Sequence, residues 1–133
     1  FFAGWGADET PFKDYQPADS DYMLCYDYRT LEFDASLLKE YREINVIGWS
    51  MGVWAATQVM GKLQETDTAL VIKNSIAING TPYPIDDTYG IPTAIYHGTL
   101  EGLTGPSLHK FLRRMCFNGE SFKEFLNITP RRS

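Results

Sequence analysis

The sequence has few cysteines and no long apolar run, the features on which disulfide-rich and membrane-spanning proteins depend. Two cysteines in 133 residues, Cys25 and Cys116, do not make a disulfide framework, and this favours a reducing compartment. No apolar run is long enough to cross a bilayer, and the first residues lack the basic start and cleavage site of a secretory signal. We therefore expect a cytoplasmic protein without a membrane segment.

Basic residues are scarce in most of the chain, and this argues against a nucleic-acid partner. Residues 1–90 hold six Lys or Arg and fourteen Asp or Glu, which gives a net charge of −8. Residues 91–133 hold six basic and three acidic residues, which gives a net charge of +3. An acidic body with a basic end is not typical of nucleic-acid binders, but it suits local docking of an acidic protein.

What the chain does contain is an alternation of short apolar strands and amphipathic helices. Strands are predicted over residues 1–3, 22–28, 45–47, 75–79 and 91–98. Helices are predicted over residues 34–44, over 51–63, from Thr104 or Ser107, and from the capping-box pattern of Ser121 and Glu124. The alternation predicts a single α/β domain over residues 1–133, with a mostly parallel sheet and helices on both faces.

The clearest chemical signal is Gly48-Trp49-Ser50-Met51-Gly52, which fits G-x-S-x-G between a strand and a helix. In this motif the serine lies on a sharp turn, and the two glycines remove side chains that would collide there. The turn presents the Ser50 hydroxyl close to the first N–H groups of the next helix. We interpret Ser50 as a nucleophile and the Met51 N–H as an oxyanion donor. The alternative is a tight turn that happens to carry a serine.

An acyl-transfer site needs a second oxyanion donor, and the segment FFAGWGAD offers one. An apolar strand runs into Gly4-Trp5-Gly6, where the glycines allow the backbone to approach a substrate closely. We predict that the Trp5 N–H is the second donor. The alternative is that Trp5 is a half-buried aromatic residue on a glycine turn.

Six segments together resemble the BioG-type esterases of the α/β-hydrolase superfamily: FFAGWGADETPF, YDYR, VIGWSMGVWAA, AINGTPYPID, GIP and GTLEGL…KFLRRMC. The resemblance implies a partial α/β-hydrolase fold that hydrolyses the methyl ester of pimeloyl-acyl-carrier protein in biotin synthesis. It implies an acyl-enzyme on Ser50, with the Trp5 and Met51 amides as the oxyanion hole. No metal or other cofactor is expected. A thioesterase- or lipase-type hydrolase and a non-catalytic binding module are the alternatives.

The resemblance also implies that the catalytic histidine lies beyond this sequence and that an initial strand or two precede it. We therefore expect an incomplete copy of the fold with little activity, because a serine without its base is a poor nucleophile. The chain has two histidines. His97 is expected as a hydrogen-bonded side chain at a strand end, and His109 is expected on the polar side of a helix, so neither is favoured as the base.

Three carboxylates are candidates for the catalytic acid. The stretch IPTAIYHGTLEGL is similar to a hydrolase strand with an acid after its turn, and this indicates Glu101. Asp86 and Asp87 follow the preceding strand and are alternatives. Each of the three also fits a turn carboxylate, and the resemblance implies that the acid lies further along the chain.

Residues 100–127 resemble lid helices over the site. Six apolar residues there are candidates for an aliphatic channel, with plain helix packing as the alternative: Leu108, Phe111, Leu112, Met115, Phe122 and Phe125. Five basic residues are candidates for docking an acidic acyl carrier protein, with a solvated helix face as the alternative: Lys110, Arg113, Arg114, Arg131 and Arg132.

Overall fold

The structure, a computed structural model, describes residues 1–67 and 69–128, so Arg131 and Arg132 lie outside the described residues. Two short 3-10 helices, Thr10–Phe12 and Ala35–Leu38, precede the regular elements. These are β1 (Ile44–Trp49), α1 (Met51–Thr66), β2 (Ile72–Ile78), α2 (Thr93–Glu101), α3 (Gly105–Met115) and α4 (Gly119–Ile128). The described part is thus mixed α/β, with a two-stranded parallel sheet and four helices. None of these helices has the length and apolar character that a bilayer crossing requires.

Two further segments extend the sheet beyond β1 and β2. The Phe2 N–H donates to the Ile47 oxygen at 2.7 Å, and the Trp49 N–H donates to the Phe2 oxygen at 2.9 Å. On its other side, Phe2 forms a parallel bridge with Cys25, where the Ala3 N–H donates to the Cys25 oxygen at 2.9 Å. Because all four neighbouring segments run parallel, the residues that follow them meet at one edge of the sheet.

The core lies between β1 and α1. The buried cluster consists of Phe2, Val46, Ala55, Ala56, Val59 and Met60, and its α1 members recur at helical spacing. On β2, six of the seven residues are exposed. The expected coverage of the sheet by helices on both faces is therefore absent from the described residues. The partial α/β-hydrolase fold and the single domain stay predictions.

The strand predicted over residues 91–98 is wrong, because most of it lies in α2. The Asp87 carboxylate accepts a hydrogen bond from the Thr93 N–H at 2.8 Å, which satisfies one of the free donors at the helix start. Pro92 has φ −51° at the N-cap. The cap from Asp87, outside the segment, and Pro92, within it, favour a helix over the strand that the β-branched residues indicate.

Two helix predictions also need correction. The helix predicted over residues 34–44 is a 3-10 helix of four residues, although Asp34 caps it by accepting from the Ser36 N–H at 3.0 Å. The helix predicted from Ser121 starts at Gly119, because the side chain of Asn118 accepts from the Ser121 N–H at 2.8 Å. By contrast, α3 is confirmed: Thr104 is its N-cap and forms a capping box with Ser107.

Gly61 is a helix-interior glycine without a packing role. A Cβ at Gly61 would meet no atom within 4 Å, and the residue lies within α1. We expect Gly61→Ala to raise the free energy of unfolding by about 0.5–1 kcal/mol, because alanine loses less conformational entropy in a helix. Urea denaturation followed by circular dichroism measures this change, and a lower midpoint for the variant would contradict the prediction.

Candidate functional site

Ser50 connects β1 to α1 in a backbone conformation that is rare outside glycine. Its φ is 55° and its ψ is −123°. Two hydrogen bonds hold it there: the Ser50 N–H donates to the Ile78 oxygen at 2.8 Å, and the Ser50 oxygen accepts from the Val53 N–H at 3.1 Å. The hydroxyl makes no capping bond to α1. The half-buried side chain is therefore available to a ligand in the cavity that it lines.

The glycines on either side of Ser50 allow close backbone contacts, as the spacing of the motif predicts. A Cβ at Gly48 would lie 2.8 Å from the Cα of Val53. A Cβ at Gly52 would lie 2.0 Å from the Phe2 oxygen, which is far inside van der Waals contact. The start of α1 can therefore lie directly against the first segment of the chain because position 52 has no side chain.

Residues 4–7 form a tight turn, called here the Gly4 turn, beside Ser50. The Gly4 oxygen accepts from the Ala7 N–H at 3.2 Å, and Gly6 has φ 72°, which together indicate a type II turn. The Gly4–Trp5 peptide is trans, so the Trp5 N–H points away from the Gly4 oxygen and out of the turn. A Cβ at Gly4 would lie 3.3 Å from the Cβ of Ser50, so the turn lies against the serine.

The two predicted oxyanion donors, the N–H groups of Trp5 and Met51, are both available. Neither donates to a protein acceptor within the described residues. Met51 is the first residue of α1, where N–H groups have no partner inside the helix. Ser50, Trp5 and Met51 line the same cavity. The structure thus brings the three residues together, and their chemical roles stay predictions.

The cavity at Ser50 has a volume of about 530 Å³. The other residues that line it are Gly4, Trp49, Asn79, Gly80, Thr81, Pro84, Tyr89, Gly90, Ile91, Tyr96, Thr99, Phe111 and Met115. Among the described residues, none of those lining it is His, Asp, Glu, Lys or Arg. Such a cavity suits a neutral, mostly apolar group with a carbonyl near the serine. In the described part of the chain, no group of three or more His, Cys, Asp or Glu could hold a metal ion.

None of the three candidate acids lines this cavity. Glu101 is the last residue of α2, so the strand that would have placed it near Ser50 does not exist. Asp86 accepts from the N–H groups of Tyr89 and Thr88, both at 2.8 Å, and these bonds hold the pKa of its carboxyl below the usual value. Asp87 accepts from the start of α2, as described above. Asp86 thus stabilises a turn, which is the alternative that the sequence left open, whereas Asp87 caps the start of α2.

The two histidines also lie away from the cavity lining. His97 is within α2, not at a strand end, and its ring centroid lies 5.6 Å from that of Tyr96. His109 is within α3, and its ring centroid lies 4.9 Å from that of Phe122 on α4. His109 therefore contacts another helix, not only solvent as the sequence suggested. Within the described residues, the cavity has no candidate for a general base.

The predicted lid residues divide between two cavities. Phe111 and Met115 line the cavity at Ser50, and the ring of Phe111 lies 5.3 Å from that of Trp5. Leu112, Met115 and Phe125 line a second, apolar cavity of about 250 Å³ that also touches Trp5. Leu108 lines neither, and Phe122 is buried in helix packing. Four of these residues are thus placed where an aliphatic chain could bind, and the lid role stays a prediction.

The basic residues of α3 are exposed. Lys110, Arg113 and Arg114 lie on the solvent side of the helix, and Arg113 donates to the Cys116 oxygen at 3.3 Å near the helix end. No ion pair involves these three side chains within residues 1–67 and 69–128. Their charges are therefore available to a partner.

Sequence reasoning missed Asn79. It follows β2 as Ser50 follows β1, and the pairing of Trp49 with Ile78 sets the two residues side by side. Asn79 has φ 45° and lines the same cavity. The signal was an Asn-Gly pair directly after a parallel strand, where ligand-binding residues of open α/β sheets are found.

Comparison with known proteins identifies the family. A family model described as "Pimeloyl-ACP methyl esterase BioG" matches residues 1–133. The chain belongs to the BioG family. A crystal structure of selenomethionine BioG from Haemophilus influenzae is similar to this BioG chain with a TM-score of 0.80 and 41% sequence identity. That match covers 99% of this chain and 58% of the crystallised chain.

Two curated relatives of this BioG chain are longer than the chain itself. A Bacteroides fragilis (strain 638R) protein named malonyl-[acyl-carrier protein] O-methyltransferase is 56% identical over 132 residues, which are 99% of this chain and 26% of that protein. A Haemophilus influenzae (strain Rd) protein, named as uncharacterized, is 40% identical over 126 residues, which are 94% of this chain and 55% of that protein. The chain thus spans about a quarter to about half of the relatives that it matches.

The Bacteroides relative corrects the predicted reaction. A protein 56% identical to this BioG chain is named as an O-methyltransferase and not as an esterase. Hydrolysis of the methyl ester of pimeloyl-acyl-carrier protein in biotin synthesis is therefore not assigned to the chain. The family resemblance itself is confirmed, whereas the α/β-hydrolase superfamily and the incompleteness of the fold stay predictions.

Proposed function

We propose that Ser50 is the nucleophile of a serine-esterase centre of the α/β-hydrolase kind, which acts on acyl groups held by an acyl carrier protein. The observation that carries this proposal is the strained Ser50 beside two N–H groups that have no acceptor within residues 1–67 and 69–128. Strained backbone of this kind concentrates at active sites, where it fixes a reactive side chain.

The chemistry follows from this geometry. The Ser50 Oγ attacks an ester carbonyl in the cavity, and the carbonyl oxygen gains the negative charge of a tetrahedral intermediate. The N–H groups of Trp5 and Met51 donate to that oxygen. One such donor contributes about 10²–10³ in rate because it is in place before the charge develops. Collapse of the intermediate expels the alcohol and leaves the acyl group on Ser50.

The proton of the Ser50 hydroxyl needs an acceptor. The described residues that line the cavity contain no His, Asp or Glu, so we propose that the base comes from outside this lining. A small external base can replace a missing one if the nucleophile and the oxyanion donors are already placed. Imidazole is such a base and is used in the experiment below.

The family description and the name of the Bacteroides relative both mention an acyl carrier protein as part of the substrate. The exposed Lys110, Arg113 and Arg114 of α3 support the same kind of partner for this chain. Phe111 and Met115, on the same helix, line the cavity at Ser50. An acidic carrier bound to the basic residues would thus lie close to the cavity that receives its acyl group. The cytoplasmic location stays a prediction.

The direct test of the proposal is acylation of Ser50. The chain is incubated with a p-nitrophenyl ester and imidazole, and the modified peptide is identified by mass spectrometry. We expect one acyl group on the peptide that contains Ser50, and none on this peptide in Ser50→Ala. Absence of the adduct in the unsubstituted chain would refute the proposal and favour a non-catalytic binding module. Faster acylation from a thioester than from an ester of the same acid would favour a thioesterase.

Reversal of one basic charge on α3 tests the docking face. We expect Arg114→Glu to lower the rate of Ser50 acylation by a carrier-linked substrate about tenfold at low salt, because like charges repel the carrier. Acylation by a p-nitrophenyl ester should be unchanged, and added salt should reduce the difference. Lys123→Glu, on α4, makes the same charge change as a control. An equal loss on both substrates, or the same loss in the control, would argue against docking at α3.

A further inference from the structure

Tyr28 belongs to the YDYR segment, and its hydroxyl contacts the backbone just before the Gly4 turn. The hydroxyl donates to the Ala3 oxygen at 2.6 Å and lies 3.1 Å from the Cys25 oxygen. Ala3 is fully buried. One side chain therefore connects the ends of two neighbouring parallel segments at the edge of the sheet where Ser50 lies.

The Tyr28 hydroxyl binds the next backbone acceptor of the ladder between the two segments. Two backbone hydrogen bonds pair the segments. The Cys25 N–H donates to the Phe1 oxygen at 2.8 Å, and the Ala3 N–H donates to the Cys25 oxygen at 2.9 Å. The next acceptor along this ladder is the Ala3 oxygen, which in a continued parallel pair would receive an N–H. The chain turns at Asp27, where φ is 66°, and the Tyr28 O–H donates to this Ala3 oxygen.

This bond fixes the backbone from which the Gly4 turn starts. The Ala3 oxygen belongs to the peptide that joins Ala3 to Gly4, and the next peptide carries the Trp5 N–H. Tyr28 holds the first peptide, and the Ala7 N–H holds the second by donating to the Gly4 oxygen. Because both planar peptides are held, the direction of the Trp5 N–H has little freedom. The bond is suited to this role because burial raises the pKa of the Tyr28 hydroxyl, which therefore stays a donor.

We propose that Tyr28 is a positioning residue: its hydrogen bond to the Ala3 oxygen sets the Gly4 turn so that the Trp5 N–H is aimed at the oxyanion formed on attack by Ser50. This inference rests on the proposed function and adds to it a residue outside the cavity lining. Tyr28 does not line the cavity at Ser50 and acts through the backbone of residues 3–5.

The test compares oxygen esters with thionoesters of the same acid. A carbonyl oxygen develops charge that fits the two N–H donors, whereas the larger sulfur of a thionoester fits them poorly. A well-placed oxyanion hole therefore gives a high ratio of acylation rates, ester over thionoester. A purely structural defect lowers both rates together and leaves this ratio unchanged.

We expect Tyr28→Phe to lower the ester-to-thionoester ratio of Ser50 acylation about tenfold, with imidazole as the external base. Tyr41→Phe is the matched control, because the Tyr41 hydroxyl also donates a hydrogen bond, to Asp21, in an exposed position. The control should keep the ratio of the unsubstituted chain. Both variants are also made with Gly61→Ala, which compensates for a loss of stability if Tyr28→Phe alone is poorly folded.

The outcomes separate this inference from the proposed function. If the unsubstituted chain acylates on Ser50 and Tyr28→Phe, alone or with Gly61→Ala, keeps its ratio, then Tyr28 does not position the Trp5 N–H. The same conclusion holds if Tyr41→Phe lowers the ratio as much. If the unsubstituted chain shows no adduct on Ser50, the proposed function fails and the role of Tyr28 fails with it.

Discussion

Replacing Gly52 with alanine is expected to lower the free energy of unfolding by about 3 kcal/mol or more. The new methyl group would lie 2.0 Å from the Phe2 oxygen and 2.6 Å from the Ala3 oxygen. Both are backbone atoms, so no side-chain rotation can relieve the contact, and the cost belongs at the upper end for overpacked positions. The Phe2 oxygen also accepts the Trp49 N–H, so any shift of the first segment strains the sheet.

The matched control for Gly52→Ala is Gly61→Ala, which adds the same methyl group to the same helix in open space. Urea denaturation of the two variants gives the difference, and we expect them to change stability in opposite directions. An unfolding midpoint for Gly52→Ala at or above that of the unsubstituted chain would show that the start of α1 is not packed against the first segment.

Replacing Ser50 with glycine is expected to abolish acylation and to stabilise the protein at the same time. Glycine adopts a φ of 55° with a ψ of −123° without steric strain, whereas the same conformation destabilises a serine by about 1–3 kcal/mol. We therefore expect Ser50→Gly to raise the free energy of unfolding by about 1–2 kcal/mol, within that range. Denaturation and mass spectrometry measure the two effects on one sample.

Ser50→Ala separates the backbone effect from the chemical one. Alanine keeps a Cβ and hence the backbone strain, so this variant should lose acylation without gaining the stability that glycine gives. If Ser50→Gly were no more stable than Ser50→Ala, the strain at this position would be absent. If either variant kept an acyl group on this peptide, another residue would be the nucleophile.

The sequence is most informative where one short segment determines its own geometry. The motif around Ser50 needs glycine at positions 48 and 52 for contacts made within a few residues or with the adjacent strand, so its strand–turn–helix form was predictable. The cap of α3 is similarly local, since Thr104 and Ser107 satisfy each other. Both predictions use residues that lie three or four positions apart in the sequence.

Features that depend on distant partners were not predictable in the same way. α2 was mistaken for a strand because the capping carboxylate, Asp87, lies six residues before Thr93. Tyr28 gains its role from contact with Ala3, which is 25 residues away. Asn79 enters the cavity because β2 pairs with β1 in one register and not in another. In each case the sequence contains the residue but does not show the distant neighbour that determines its position.

The residues of the candidate site also differ in how far local sequence determines their positions. Ser50, Trp5 and Met51 line one cavity, and each lies at a glycine-bounded turn that follows a strand-like segment, but their roles in the site stay predictions. Glu101 and His97 were placed from a strand predicted over residues 91–98, and that reasoning failed because most of this segment lies in α2.

The central claim is that the Ser50 oxygen and the N–H groups of Trp5 and Met51 converge on one point. A crystal structure of the chain with a phosphonate bound covalently to Ser50 tests this claim most directly. We expect one phosphonyl oxygen to lie about 3 Å from both backbone nitrogens. A phosphonyl oxygen that faces solvent, with the Trp5 and Met51 N–H groups directed elsewhere, would contradict it.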